Sequence, residues 1–193
     1  MKIGIMGTHG VGKTTKVNEL ASIFSDIAPE DTGVLSEVVR RCPFPVNENA
    51  SINAQRWIFF KQFTEEIELQ AAHEILICDR TVLDSLAYAQ YAGFQDFVSE
   101  AMYLAVDWLK TYDIIYWLRP SGRRIEDDGF RSTSENYQQG IDMILAHWVD
   151  IFEIKTCRAD EKRAVITAFI EELESRYKGL EKQLTQTLNW QTA

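Results

Sequence analysis

Residues 7 to 14 read GTHGVGKT, with Gly7, Gly12, Lys13 and Thr14 at the fixed places of the pattern G-x-x-x-x-G-K-[ST]. Glycines let the backbone fold so that successive N–H groups point at phosphate oxygens. The lysine sets a charge beside the β- and γ-phosphates, and the hydroxyl after it ligates Mg²⁺. His9, Gly10, Val11 and Thr15 supply the rest of the backbone expected to line the phosphates. A random chain of this length shows the pattern with a probability of roughly 1%. The context strengthens it: KIGIM, before the loop, suits a buried strand, and KTTKVNELASIF, after it, suits a helix with Val17, Leu20, Ala21 and Phe24 on one face. A helix N-terminus at that point adds favourable partial positive charge.

Other residues bear chemistry at a distance. Asp79 ends the apolar run EILICD, where an acidic residue of a phosphate-loop protein holds the metal, and Arg80 follows it. The simpler reading of Asp79 is a helix cap. Glu37 stands where a second strand should end and is a candidate base for an acceptor hydroxyl. Asp79 competes with it for that role. The segment RPSGRRIEDDGFRST, residues 119–133, carries Arg119, Arg123, Arg124 and Arg131 against Glu126, Asp127 and Asp128. Arginine forks stabilise charge on a transferring phosphoryl group, and Gly122 and Gly129 would let such a segment close as a lid. The alternative is a solvated charged loop.

Those residues must be positioned by regular elements. Strands are expected at 2–6, near 34–37, at 74–79 and at 113–118, with a weak fifth within 152–157. Helices are expected at about 13–26, 52–72, 81–92, 95–111, 134–152 and 160–187. Asn49 or Ser51 would cap the 52–72 helix. This alternation implies right-handed crossovers, a parallel sheet and a three-layer α/β/α fold of about five strands. Ligands then sit beyond the carboxyl ends of the strands, which gathers the loop after strand one, Glu37, Asp79–Arg80 and Arg119 at one rim. The 52–72 helix carries two stripes. Trp57, Phe60, Phe63 and Ile67 are expected in the core. Gln55, Phe59, Gln62 and Glu66 form a mixed stripe suited either to a flat heterocycle or to a solvated flank.

The chain has 193 residues, 46% hydrophobic and 25% charged, as expected of one globular domain spanning 1–193. Its net charge of −9 argues against extended nucleic-acid binding but leaves room for one basic pocket. Three scattered cysteines and three scattered histidines suit a reducing cytoplasmic setting and no zinc site. No membrane span or signal peptide is expected, and a homodimer stays open.

Four places resemble the P-loop nucleoside and nucleotide kinases. They are GTHGVGKTT, DRTVLDSLAYA at 79–89, the spacing Trp57-x-Phe59-x-x-Gln62, and the arginine-rich segment in the place of a lid. SEVVRRCP and DRTVLDSLAYA are also similar to a family of small AAA-type ATP-binding proteins related to the nicotinamide riboside kinase domain of NadR, to which DDGFRS has a likeness too. The resemblance implies Mg²⁺-ATP as donor, with Lys13 and Thr14 serving ATP and metal, Asp79 holding metal and Glu37 acting as base. It further implies that Arg80 meets phosphate and that Gln62, with Trp57 and Phe59, holds the base of the acceptor. Arg40 or Arg41 would match an acceptor-phosphate arginine. The expected activity is ATP-dependent phosphoryl transfer to a small nucleoside, nucleotide or ribosyl acceptor. The competing readings are a regulatory P-loop NTPase acting through a partner and a kinase acting on a nucleic-acid end or modified base.

Overall fold

The computed structural model describes residues 1–122, 125 and 132–158. Its element order alternates strand and helix. β1 (Lys2–Met6) leads into α1 (Lys13–Ile27), and β2 (Thr32–Leu35) is followed by two short 3-10 turns, Val38–Arg41 and Asn47–Asn49. Next come α2 (Ile52–Ala72), β3 (Ile75–Asp79), α3 (Val82–Tyr91), α4 (Gln95–Leu109), β4 (Ile114–Trp117), α5 (Glu135–Ile151) and β5 (Cys157–Arg158). All strand pairs are parallel, in the order β2-β3-β1-β4-β5. The expected parallel α/β/α architecture is what forms.

Alternation along the strands explains the layers. Ile3, Ile5, Ile75 and Ile77 face one way and meet Val17, Ile23 and Phe24 of α1. Met6, Leu76, Cys78 and Trp117 face the other way, toward α2, α3, α4 and α5. Both faces of β1 and β3 are therefore apolar and covered, as a central parallel strand requires. Among the described residues, no helix is long and apolar enough to cross a membrane.

Some expectations shift. β2 ends at Leu35, whose register partner is Cys78, so Glu37 lies beyond the strand at the head of a 3-10 turn. α5 closes through Ile154 N donating to Val149 O, and Glu153 takes a positive φ of 49°, so the fifth strand starts only at Cys157. The helix expected at 160–187 lies outside the described residues. Ser51 caps α2 by accepting from Ala54 N at 3.2 Å, and Asn49 sits in the preceding turn.

The two stripes of α2 are exchanged. Gln55, Phe59, Gln62 and Glu66 are buried, while Phe60 and Ile67 are each 54% exposed and Trp57 is only partly covered. Phe63 alone of the first stripe is fully in the core. The cause is an ion pair that hydrophobic periodicity does not register. Lys2 on β1 meets Glu66 at 2.5 Å with both side chains at 0% exposure. Trp108 Nε1 and Tyr112 Oη also donate to that carboxylate, at 2.7 and 2.5 Å. The Lys2 ammonium lies 4.4 and 4.1 Å from the Trp108 and Tyr112 ring centroids.

Candidate functional site

The phosphate loop joins β1 to α1 at the centre of the carboxyl rim. Gly7 takes φ 143°, and a Cβ there would stand 2.2 Å from Leu118 O. Gly12 takes φ 88°, with nothing within 4 Å of where a Cβ would be, and serves as the N-cap of α1 without any side-chain cap bond. The first amides of α1 are thus left for an anion. A cleft of about 300 Å³ opens there, walled by Gly10, Gly12, Lys13, Thr14, Thr15 and Glu37. Val11 is half-buried beside it. Lys13 is buried and donates to Thr8 O at 2.6 Å. Burial, followed by the Arg80 charge, lowers its pKa to about 7, while Glu37, Asp79 and Asp84 pull the other way.

β3 neighbours β1, with Asp79 in register with Ile5, so Asp79 reaches the start of α1. Its Oδ2 accepts from Thr14 Oγ1 at 2.6 Å. Its Oδ1 is buried with no hydrogen-bond partner among the described residues. An orphaned carboxylate oxygen beside a hydroxyl fits a Mg²⁺ ion whose other positions are filled by phosphate and water. Among the described residues no cluster of three or more His, Cys, Asp or Glu could by itself hold a metal ion. The alternative role of Asp79 as helix cap is taken elsewhere: Thr81 caps α3 in a capping box with Asp84.

Arg80 follows Asp79 with φ 95°, a left-handed backbone unusual for arginine and typical of strain held at functional sites. Its Nε and Nη2 donate to Glu37 Oε1 at 3.0 and 2.6 Å, and its guanidinium lies 5.1 Å from the Tyr88 ring centroid. Burial disfavours the charge, but Tyr88, Glu37, Asp84 and Asp79 outweigh it and raise the Arg80 pKa, so the group stays cationic. Glu37 Oε2 also accepts from Arg40 Nε at 3.0 Å.

Beside this pair lies a second cavity of about 500 Å³. Glu37, Arg80 and His9 line it with titratable groups, Val39, Val46, Ile58 and Tyr88 give it apolar walls, and Asn47, Gln55 and Ser85 add polar groups. Glu37 therefore belongs to the walls of both cavities. His9 anchors the phosphate loop here: its backbone N donates to Tyr88 Oη at 2.9 Å, and its carbonyl accepts from Gln138 Nε2 at 2.8 Å.

Of the α2 residues expected to hold an acceptor, Trp57, Phe59 and Gln62 line neither cavity. Gln62 Nε2 donates to Glu66 Oε1 at 2.7 Å and to Arg80 O at 3.3 Å, bracing the turn from behind. Phe59 is locked among Phe60, Phe63 and Phe97, and Trp57 is outside the cavity wall. Gln55 and Ile58 occupy the wall instead. Arg119 is engaged by Asp142 of α5 at 2.5 Å and covers Trp117, with its guanidinium 4.8 Å from the ring centroid. Arg123, Arg124 and Arg131 lie outside the described residues, as does most of the expected lid. Sequence reasoning also missed Asp84 and Tyr88, although they stand four residues apart within the expected 81–92 helix, the signal of one helix face.

An AAA domain family model matches residues 2–164. The chain belongs to that AAA domain family. No curated protein matches it by sequence. Among solved structures, this AAA domain is similar to deoxyadenosine kinase from M. mycoides described with products dCMP and a flexible dCDP bound. The TM-score is 0.58 and the identity 17%, over 91% of this chain and 99% of that one. The same kinase with bound dATP gives a TM-score of 0.58 at 16% identity, over 90% and 99% of the two chains. A NadR protein in complex with NR gives a TM-score of 0.62 at 17% identity, over 84% of this chain but 46% of that one. At these identities the likeness establishes the fold, which the AAA domain shares with these kinase and NadR structures.

Proposed function

We propose that the protein is a kinase transferring the terminal phosphoryl group of Mg²⁺-ATP to a hydroxyl of a small nucleoside-like acceptor. The observation that carries this reading is the position of Glu37 in the wall shared by the phosphate-loop cleft and the neighbouring cavity. A donor phosphate on one side and an acceptor hydroxyl on the other would meet across that wall, the arrangement in-line transfer needs. The small-molecule cavity, the buried arginine and the fold of nucleoside kinases all support it. The structural relatives are described with dCMP, dCDP and dATP, and with NR, which suggests the same class of acceptor here.

In this reading the amides of residues 10–15 and the Lys13 ammonium bind the phosphates of ATP. Thr14 and Asp79 would hold Mg²⁺, which would supply positive charge to offset that of the ATP phosphates. Glu37 accepts the hydrogen bond of the acceptor hydroxyl, orients it and takes its proton as the new O–P bond forms and the bond from the γ-phosphorus to the bridging oxygen breaks, releasing ADP. Arg80, fixed by Glu37 and lying against Tyr88, offers positive charge to the equatorial oxygens. Ile58 and Val39 enclose the acceptor's ring, and the Gln55 carboxamide supplies one donor and one acceptor to its edge. The test is a panel of nucleosides, nucleotides, ribosyl compounds and oligonucleotides incubated with labelled ATP. Transfer of label to a nucleoside-like compound is expected, and nucleotide hydrolysis without any labelled acceptor would overturn the proposal.

A further inference from the structure

Asp84 is completely buried and lines neither cavity, so beyond the field it sets at Lys13 and Arg80 it has no place in the chemistry above. Its Oδ1 accepts from Gly7 N at 2.8 Å, the first amide of the phosphate loop. Its Oδ2 accepts from Thr81 N and Thr81 Oγ1, both at 2.7 Å. A capping box needs only the second set of bonds, because the N3 carboxylate ordinarily reaches back to the cap residue alone. The additional bond ties α3 to a loop 77 residues away in sequence.

The two peptides so held are the sensitive ones. A Cβ at Gly7 would stand 2.2 Å from Leu118 O, so the loop entrance has no room to spare between that carbonyl and the carboxylate. Thr81 follows Arg80, whose left-handed backbone is held on its other sides by Arg80 N donating to Ile5 O at 3.1 Å and by Gln62 Nε2 at its carbonyl. Burying a carboxylate is costly, and burial raises the Asp84 pKa, with Arg80 and Lys13 pulling it back. Three donors on one carboxylate, two of them fixed backbone amides, offset that cost only while both peptides stay in place.

We propose that Asp84 is a positioning residue that locks the phosphate-loop entrance to the Arg80 turn, so that the loop amides and the Arg80–Glu37 pair keep one mutual geometry. The proposal rests on the reading above only in taking the ligand of the loop to be a nucleotide. It predicts that removing the charge loosens the loop more than it loosens the helix.

Two variants separate the roles. Asp84→Asn keeps the shape but sets an NH₂ group against one of the amides, whereas Thr81→Val removes a cap donor and leaves the Gly7 bond. Both are compared with wild type for melting temperature, for hydrogen exchange at the Gly7 amide, and for ATP affinity by calorimetry. In Asp84→Asn, Gly7 exchange should speed up about tenfold or more relative to Thr81→Val at similar loss of melting temperature. ATP affinity should fall about 10- to 100-fold, the size of one charge-assisted hydrogen bond, while Thr81→Val stays near wild type. Equal behaviour of the two variants at matched stability, or wild-type ATP affinity in Asp84→Asn, overturns the lock. A wild-type protein that binds ATP and phosphorylates nothing overturns the kinase reading and leaves the lock standing. A wild-type protein that binds no ATP overturns both.

Discussion

Two buried ionic clusters sit on the helix-rich face of the same sheet, one at each end of the strands. At the amino end, Glu66 receives Lys2, Gln62, Trp108 and Tyr112, and the Lys2 ammonium is covered by two rings and a Thr111 hydroxyl. At the carboxyl end, Glu37 receives Arg80 and Arg40 and stands in the walls of two cavities. Both are charged and both are buried, so burial of charge alone does not mark a site. The distinction is closure. The Lys2 cluster is satisfied by the protein and has no access, whereas the Glu37 cluster leaves faces of its groups toward space a ligand would fill. The first serves the fold, and the second is where chemistry is expected.

The sharpest way to break this distinction is to neutralise each glutamate. Glu66→Ala leaves the Lys2 charge buried without its partner and should cost about 3–5 kcal/mol of stability, read from denaturant unfolding. Glu37→Gln keeps its volume but leaves the buried Arg80 guanidinium without its carboxylate, so the melting temperature should fall as well. Measured below that transition, acceptor turnover should drop about 10²–10⁴-fold while nucleotide affinity stays near wild type. A Glu37→Gln protein that turns over normally, or one that simply unfolds, would erase the contrast. Next in size, Asp79→Asn should weaken Mg²⁺ activation and impair both ATP hydrolysis and acceptor phosphorylation. The measurement is turnover against Mg²⁺ concentration, and an unchanged midpoint would remove Asp79 from the metal.

Legibility followed locality. The phosphate loop is a contiguous pattern, and its glycines take the positive φ angles the pattern demands. The strand-end rule placed Glu37, Asp79 and Arg80 at one rim because a parallel sheet aligns all carboxyl ends. Side-chain pairing over distance was not legible. The mixed stripe of α2 reads as a heterocycle contact or a solvated flank until Lys2, 64 residues earlier, is known to lie over Glu66. Of that stripe the resemblance put the acceptor contact at Gln62, whereas the cavity wall holds Gln55, seven residues and about two turns earlier. Asp84 was hidden because its helix-capping role already accounts for an Asp at that place.

A smaller effect concerns pH at the open end. Free Lys13 has a pKa near 7 because of burial and the Arg80 charge, whereas an unfolded lysine titrates near 10.5. Between these values the unfolded chain binds more protons than the folded one, so the ligand-free protein should gain stability as pH rises from about 7 toward 10.5. Phosphate binding needs the charged form. Above pH 7 nucleotide binding should therefore take up close to one proton, and affinity should fall by up to about tenfold per pH unit. Calorimetry at pH 8 in two buffers of different ionisation enthalpy measures the uptake. Zero uptake would mean that Lys13 is already charged before the nucleotide arrives.

The smallest predicted effect tests whether the two clusters are independent. Tyr112→Phe deletes one of the donors to Glu66 and leaves no orphaned donor behind. Lys2, Gln62 and Trp108 still satisfy the carboxylate. The loss should be about 1–2 kcal/mol, at the low end for a hydrogen bond to a charged group, and in a chain of this size it should lower the melting temperature by several degrees. Turnover should not change, since Tyr112 lines neither cavity. One physical route could spoil that independence: Gln62 donates both to Glu66 and to Arg80 O, so a shift of the carboxylate could draw Gln62 away from the Arg80 turn. Measuring kcat at a temperature well below the melting transition separates the cases. An unchanged kcat keeps the amino-end cluster a matter of folding alone, while a fall of tenfold or more would make Gln62 a link between the two ends and the closed cluster a support for the chemistry.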